Sequence, residues 1–124
     1  MYRYNIHYMA KARKAINTEF KSQERFIPRN QKERALIKTL TRLKDEKAMA
    51  ALLRDMMTLA EIEEFSNRLE IARLILKGKS YQKIAEEVNV STSTVTRVGH
   101  WLFSGCGGYQ AVFKKNYPKP KGSK

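Results

Sequence analysis

Apolar residues recur along most of this chain at helical spacing, and the pattern starts firmly at Asn30. Leu36, Ile37, Leu40 and Leu43 fall on one stripe at intervals of three and four, the repeat that brings side chains to one side of an α-helix. Asn30 is placed to cap this segment, and Pro28 marks its boundary. Asp45 is placed to cap a second helix whose apolar members are Ala48, Met49, Leu52, Leu53, Met56 and Met57. Thr58, with Glu61 three residues on, forms a capping box for a third helix over about 59–77, and Met57 and Ile62 are spaced for the matching hydrophobic staple. That third helix is apolar on two sides, with Ile62, Phe65, Leu69, Ala72 and Leu76 on one and Ile71, Leu74 and Ile75 on the other. Two apolar sides need two partners. In a chain of 124 residues the second is expected to be another subunit. Gly78 is the candidate C-cap.

Outside this region the pattern weakens. Tyr2, Tyr4, Ile6 and Tyr8 alternate loosely, as in a short extended arm, and Met9 offers an alternative start. Residues 10–24 hold good helix formers but few large apolar groups, so a helix there needs a partner. Gly105, Gly107 and Gly108 interrupt the helical pattern, and a short last helix over about 109–117 follows, with Val112 and Phe113 as anchors. Pro118 and Pro120 release a Lys-rich tail expected to be disordered. No repeat and no strand-rich segment occurs. The expected class is all-α, with a basic extension over 1–29, a helical domain over 30–117 and a tail over 118–124.

The segment from Ser80 to Leu102 has the pattern of a helix-turn-helix. Ile84 and Val88 supply the inward face of its first helix, and Ala85 is the small residue where two helices cross. Asn89 stands at the turn, where a positive φ is wanted and Asn is the best substitute for Gly. Val90, Val95 and Val98 close a small core. Ser80 caps the first helix, and Ser91 and Thr92 offer a cap to the second. The outward residues of that second helix are then Thr92, Ser93, Thr96 and Arg97, short polar groups and one guanidinium suited to base edges and phosphates in a major groove. Ser80, Gln82 and Lys83 lie where they would hold the DNA backbone and fix the register, and Ser91 counts with them among the DNA-binding candidates.

Charge sharpens this reading once it is placed along the chain. The net charge is +13. Residues 1–29 carry seven Lys/Arg against two acids, 30–57 seven against four, 58–108 six against six, and 109–124 five Lys and no acid. A near-neutral helix-turn-helix is thus flanked by basic segments, as sequence-independent attraction to phosphates requires. Lys114, Lys115, Lys119, Lys121 and Lys124 fit that role, or equally a solubilising tail or a contact to an anionic surface. No apolar run reaches the length of a membrane span, and the first residues lack the apolar centre of a signal peptide. The lone Cys106 allows no internal disulfide, which fits a reducing cytosol.

No catalytic constellation emerges, so no enzyme is expected. His7 and His100 have no Cys, Asp or Glu at metal-ligand spacing. Glu61, Glu63 and Glu64 lie in a first helical turn, where acids favour the positive end of the dipole. Gly105-Cys106-Gly107-Gly108 lacks the Lys and Ser/Thr of a phosphate loop.

Taken with the helix before it, the helix-turn-helix resembles the Trp repressor superfamily, most closely its Trp-repressor-like branch. The resemblance is carried by the segment from Met57 to Ile62, by Arg68 ten residues after Thr58, by Arg73 to Gly78, by Ser80 to Ala85 and by Thr94 to Arg97. Looser similarity covers roughly 31–116. The resemblance implies a six-helix fold, an intertwined homodimer, and a transcriptional repressor on palindromic operators. In the repressor proper, L-tryptophan lies between two Arg side chains, its carboxylate held by one of them and by a Thr. Those positions fall on Thr58, Arg68 and Arg97, and all three types match. Two others depart from the pattern. Val98 stands where the repressor has Gly, and Trp101 stands where it has the Ser that meets the ligand's amino group. Trp101 either fills part of the space of a ligand, holding the reading heads without corepressor, or is a core residue stacked with Val98 and Leu102.

The expected function is a cytoplasmic, nucleoid-associated transcriptional regulator, a repressor acting as a homodimer on double-stranded DNA. Its tryptophan-type site is modified or absent, and L-tryptophan or a related small molecule is its candidate ligand. Arg97 cannot serve both DNA and ligand. The alternative is an RNA- or ribosome-associated basic protein that uses the helix-turn-helix as an interaction surface.

Overall fold

The computed structural model describes residues 25–114, which form six α-helices and, among the described residues, no strand. These are α1 (Gln31–Arg42), α2 (Glu46–Met56), α3 (Leu59–Leu76), α4 (Tyr81–Val88), α5 (Thr92–Ser104) and α6 (Gly108–Lys114). The arm expected over the first nine residues, the helix over 10–24 and the tail over 118–124 lie outside the described residues. The described residues divide into two compact units, one over Arg25–Ser66 and one over 67–114, with the boundary inside α3.

In the first unit every helix start is capped as its sequence demands. Asn30 Oδ1 accepts the Glu33 amide at 2.9 Å, and the Glu33 carboxylate accepts the Arg29 amide at 3.2 Å. Asp45 Oδ1 accepts the Lys47 amide at 3.2 Å. The capping box at Thr58 is complete: its Oγ1 accepts the Glu61 amide at 3.1 Å, and Glu61 Oε1 accepts the Thr58 amide at 3.1 Å. Caps of this kind contribute about 1 kcal/mol each. Burial contributes far less here. Neither α1 nor α2 has a buried residue, and Leu36, Ile37, Met56, Leu59 and Phe65 are exposed.

The second unit holds the core. Ile71, Ala72, Leu74 and Ile75 of α3 meet Ile84 and Ala85 of α4 and Val95, Val98 and Leu102 of α5. Ile71, Leu74, Ile75, Ile84, Val95 and Leu102 are almost completely buried, each worth about 1.5–3 kcal/mol relative to exposure. Five consecutive residues of α3, Ile71 to Ile75, are buried. That run includes Arg73, whose guanidinium forks onto Glu70 at 2.6 and 3.0 Å. A fully buried cation is tolerated only with such a partner.

α3 ends in a Schellman turn. Gly78 has φ 85°, its amide donates to Ile75 O at 2.9 Å, and the Lys79 amide donates to Leu74 O at 3.2 Å. Only a residue that accepts positive φ closes this turn without strain. In α6 the expected anchors are half right. Phe113 packs on the core, but Val112 is exposed. The inward position is Gln110, which is buried and donates Nε2 to Leu102 O at 2.9 Å. Residue 112 lies on the opposite side of the helix from residue 110, two positions being about 200° of rotation.

Candidate nucleic-acid interface

α4 and α5 are joined by a turn that only a few residue types can make. Asn89 sits at φ 61°, ψ 54°, and its amide bonds to Ala85 O. The Val90 amide reaches the same carbonyl at 3.0 Å. Ser80 Oγ accepts the Lys83 amide at 3.2 Å, and Ser91 Oγ accepts the Thr94 amide at 3.2 Å. Ser91, rather than Thr92, is therefore the cap of α5. The two helices also approach closely at Gly99, which is buried. A Cβ there would overlap the Tyr81 hydroxyl and lie 3.1 Å from Tyr81 Cζ. Glycine inside a helix is destabilising by about 1 kcal/mol relative to Ala, and here it makes room for the Tyr81 ring.

This scaffold turns Val95, Val98 and Leu102 inward and leaves a polar face outward. Ser80, Gln82, Lys83, Ser91, Thr92, Ser93, Thr96 and Arg97 are all exposed. Their hydrogen bonds define what they still offer. Thr96 Oγ1 donates to Thr92 O at 3.0 Å, so its one proton is used and it presents lone pairs and a methyl. Ser91 Oγ is shared with Ser93 Oγ at 2.8 Å and Thr94 Oγ1 at 2.9 Å. Lys79, by contrast, is ion-paired to Glu87.

The residues matched to a ligand pocket have diverse surroundings. Thr58 Oγ1 donates to Glu61 Oε1 at 2.9 Å. Its bonds, the backbone amide first, hold the Glu61 carboxyl below the usual carboxylate range. Arg68 is half-buried and lies in the field of Tyr109, whose phenol is pushed up by burial while Arg68 pulls it back down. Val98 belongs to the core and Arg97 is exposed. Trp101 is 57% exposed, its ring edge-on to His100 at 5.5 Å between centroids. The reading of Trp101 as a core residue is thereby corrected. The inner face of α5 is set by residues 95, 98 and 102, and position 101 is one turn beyond Arg97 on the outer side.

Sequence reasoning missed Arg73, Gln110 and the Tyr81–Gly99 contact. Glu70 three residues before Arg73 in an apolar stretch was the available signal for the first. Gln110 and Gly99 carried none.

Among the described residues no group of three His, Cys, Asp or Glu could hold a metal, and no helix is long and apolar enough to cross a membrane. The profile of the Trp repressor protein family matches residues 31–117. The chain is also 33% identical over 80 residues to the uncharacterized protein YerC of Bacillus subtilis (strain 168), a match covering 64% of this chain and 77% of that protein. With the helix-turn-helix built on six helices, these matches show that the chain belongs to the Trp repressor family, a family of regulatory DNA-binding proteins.

Proposed function

We propose that this protein is a homodimeric, sequence-specific transcriptional regulator that lays α5 in the major groove of duplex DNA and represses by occluding a promoter. The observation that carries this reading is the outward face of α5, where Thr92, Ser93, Thr96 and Arg97 stand exposed over a closed apolar core. Thr96, with its proton given to Thr92 O, accepts from adenine N6 or cytosine N4, or places its methyl on a thymine; Arg97 suits guanine or a phosphate. The dimer is supported by the first unit, whose exposed Leu36, Ile37, Leu59 and Phe65 form surface that a second copy would cover. Two reading heads about 34–36 Å apart then read a palindrome.

Thr58 argues against a tryptophan site used as in the repressor. A ligand carboxylate only accepts hydrogen bonds, and the Thr58 hydroxyl already donates to Glu61.

Binding-site selection from random duplex DNA, with and without L-tryptophan, tests both points. One palindromic motif in both arms is expected. A motif only with tryptophan overturns the corepressor-independent reading. No motif in either arm overturns the DNA reading and turns attention to RNA. On the selected site, Thr96→Ala should change which bases are preferred. Deletion of residues 117–124, which removes three of the tail's five lysines, should weaken all duplexes alike and flatten the salt dependence.

A further inference from the structure

The Thr96–Arg97 pair is repeated one turn later as His100–Trp101. Both residues of the second pair are exposed, at the i+4 spacing that continues a helical stripe. Trp101 is the chain's only tryptophan, and it stands 57% exposed with its ring edge-on to His100. An indole is a large apolar body with one donor, and a lone ring held at an angle by a neighbour is preorganised for contact. α5 contains one Arg, one His and no acidic residue, so nothing on it repels a phosphate. With α5 docked as proposed, a step of four residues, about 6 Å of rise, would carry the helix from base edges toward the backbone at the groove wall.

We propose that His100 and Trp101 extend the reading face as a backbone clamp. The Trp101 indole N–H donates to a phosphate oxygen, its ring lies against the adjoining sugar, and His100 sets its angle. The proposal rests on the DNA reading of α5 and deepens it. The clamp contributes affinity without sequence preference, because backbone contacts carry no base information.

A single tryptophan makes the test direct. The intact protein is titrated with the selected duplex and with a random duplex, following tryptophan emission and, independently, anisotropy of end-labelled DNA. Emission is expected to change with the same midpoint as the anisotropy. Trp101→Ala should weaken both duplexes about ten- to a hundredfold, the loss of one contact to a charged oxygen, and Trp101→Phe by a smaller factor because the ring remains. Circular dichroism of each variant checks that the helices persist. If DNA binds while emission and the variants' affinities stay unchanged, the clamp is wrong and the DNA reading stands. If Trp101→Ala weakens only the selected duplex, Trp101 reads bases and the backbone assignment falls. Emission already blue-shifted in free protein and dependent on protein concentration would place Trp101 between copies of the chain. Absence of binding by anisotropy would remove both readings.

Discussion

Gln110 is the one buried neutral polar side chain among the described residues, and its amide closes the end of the recognition helix. The last four carbonyls of any helix lack intrahelical partners. In α5, whose C-cap is Gly105, Gln110 Nε2 supplies one to Leu102 O at 2.9 Å. Gln110→Leu keeps the volume and removes the donor, leaving a carbonyl oxygen buried without it. Such an orphan costs about 1–3 kcal/mol, and the added apolar burial offsets part of that, so a net loss of about 1–2 kcal/mol is expected. At about 4–8 °C per kcal/mol for a domain of this size, the midpoint should fall by about 5–15 °C. Thermal unfolding followed by circular dichroism at fixed protein concentration reads this, since association would make the midpoint concentration-dependent. Gln110→Glu should be worse than Gln110→Leu near neutral pH, because an ionised carboxylate would face a carbonyl in a buried site. Acidification should narrow that gap, since a protonated Glu can donate. Gln110→Leu with an unchanged midpoint would refute the assignment of this hydrogen bond as the tie between α6 and α5.

Other substitutions probe other joints. Gly99→Ala gains helix propensity but overlaps the Tyr81 hydroxyl. It should cost a net ~1 kcal/mol, with much of the loss recovered in the Tyr81→Phe background, and a double-mutant cycle without coupling would contradict the contact. Asn89→Ala puts a Cβ that lacks Asn's local hydrogen bonding at φ 61° and should cost about 1 kcal/mol, whereas Asn89→Gly should be near neutral; equal effects in denaturant titrations would rule out the turn as the reason for Asn. Glu61 has a lowered folded pKa, so its contribution is present above its unfolded value near 4.5 and is lost as pH falls through the folded one. The stability gap between the parent and Glu61→Gln should therefore shrink below about pH 4.5; a gap constant down to pH 2 would show that the carboxylate charge is not what the cap uses.

Local chemistry made much of this protein legible. The caps at Asn30, Asp45, Thr58, Ser80 and Ser91, the Gly78 terminus and the left-handed Asn89 depend on residues within a few positions of one another, and all were readable from spacing. The core of the helix-turn-helix was readable because Ile84, Ala85, Val95 and Val98 keep helical period. What was not readable depends on which side of a helix meets a distant neighbour. Val112 and Trp101 are apolar, yet each lies on a face turned away from the core, while Gln110 and Arg73 are polar and turned inward. Composition assigns such residues the wrong way round, since the decisive partners, Leu102 O for one and Glu70 for the other, add nothing to hydropathy. Nothing in the local sequence marks Gly99 as the space that α5 keeps for Tyr81.

α1 and α2 carry sound caps and no buried residue, and that combination ties order to supply. Isolated helices of 12 and 11 residues are marginal in water, so in the proposed dimer mass action would set how much of this segment is folded. With the second copy of the proposed dimer as its cover, the folded fraction rises with the amount of protein made, and newly synthesised chains at low abundance present a proteolytically vulnerable segment until they meet a partner. Expression level then acts as an input in its own right, and a cell that halves its supply of the chain lowers the concentration of competent reading heads by more than half.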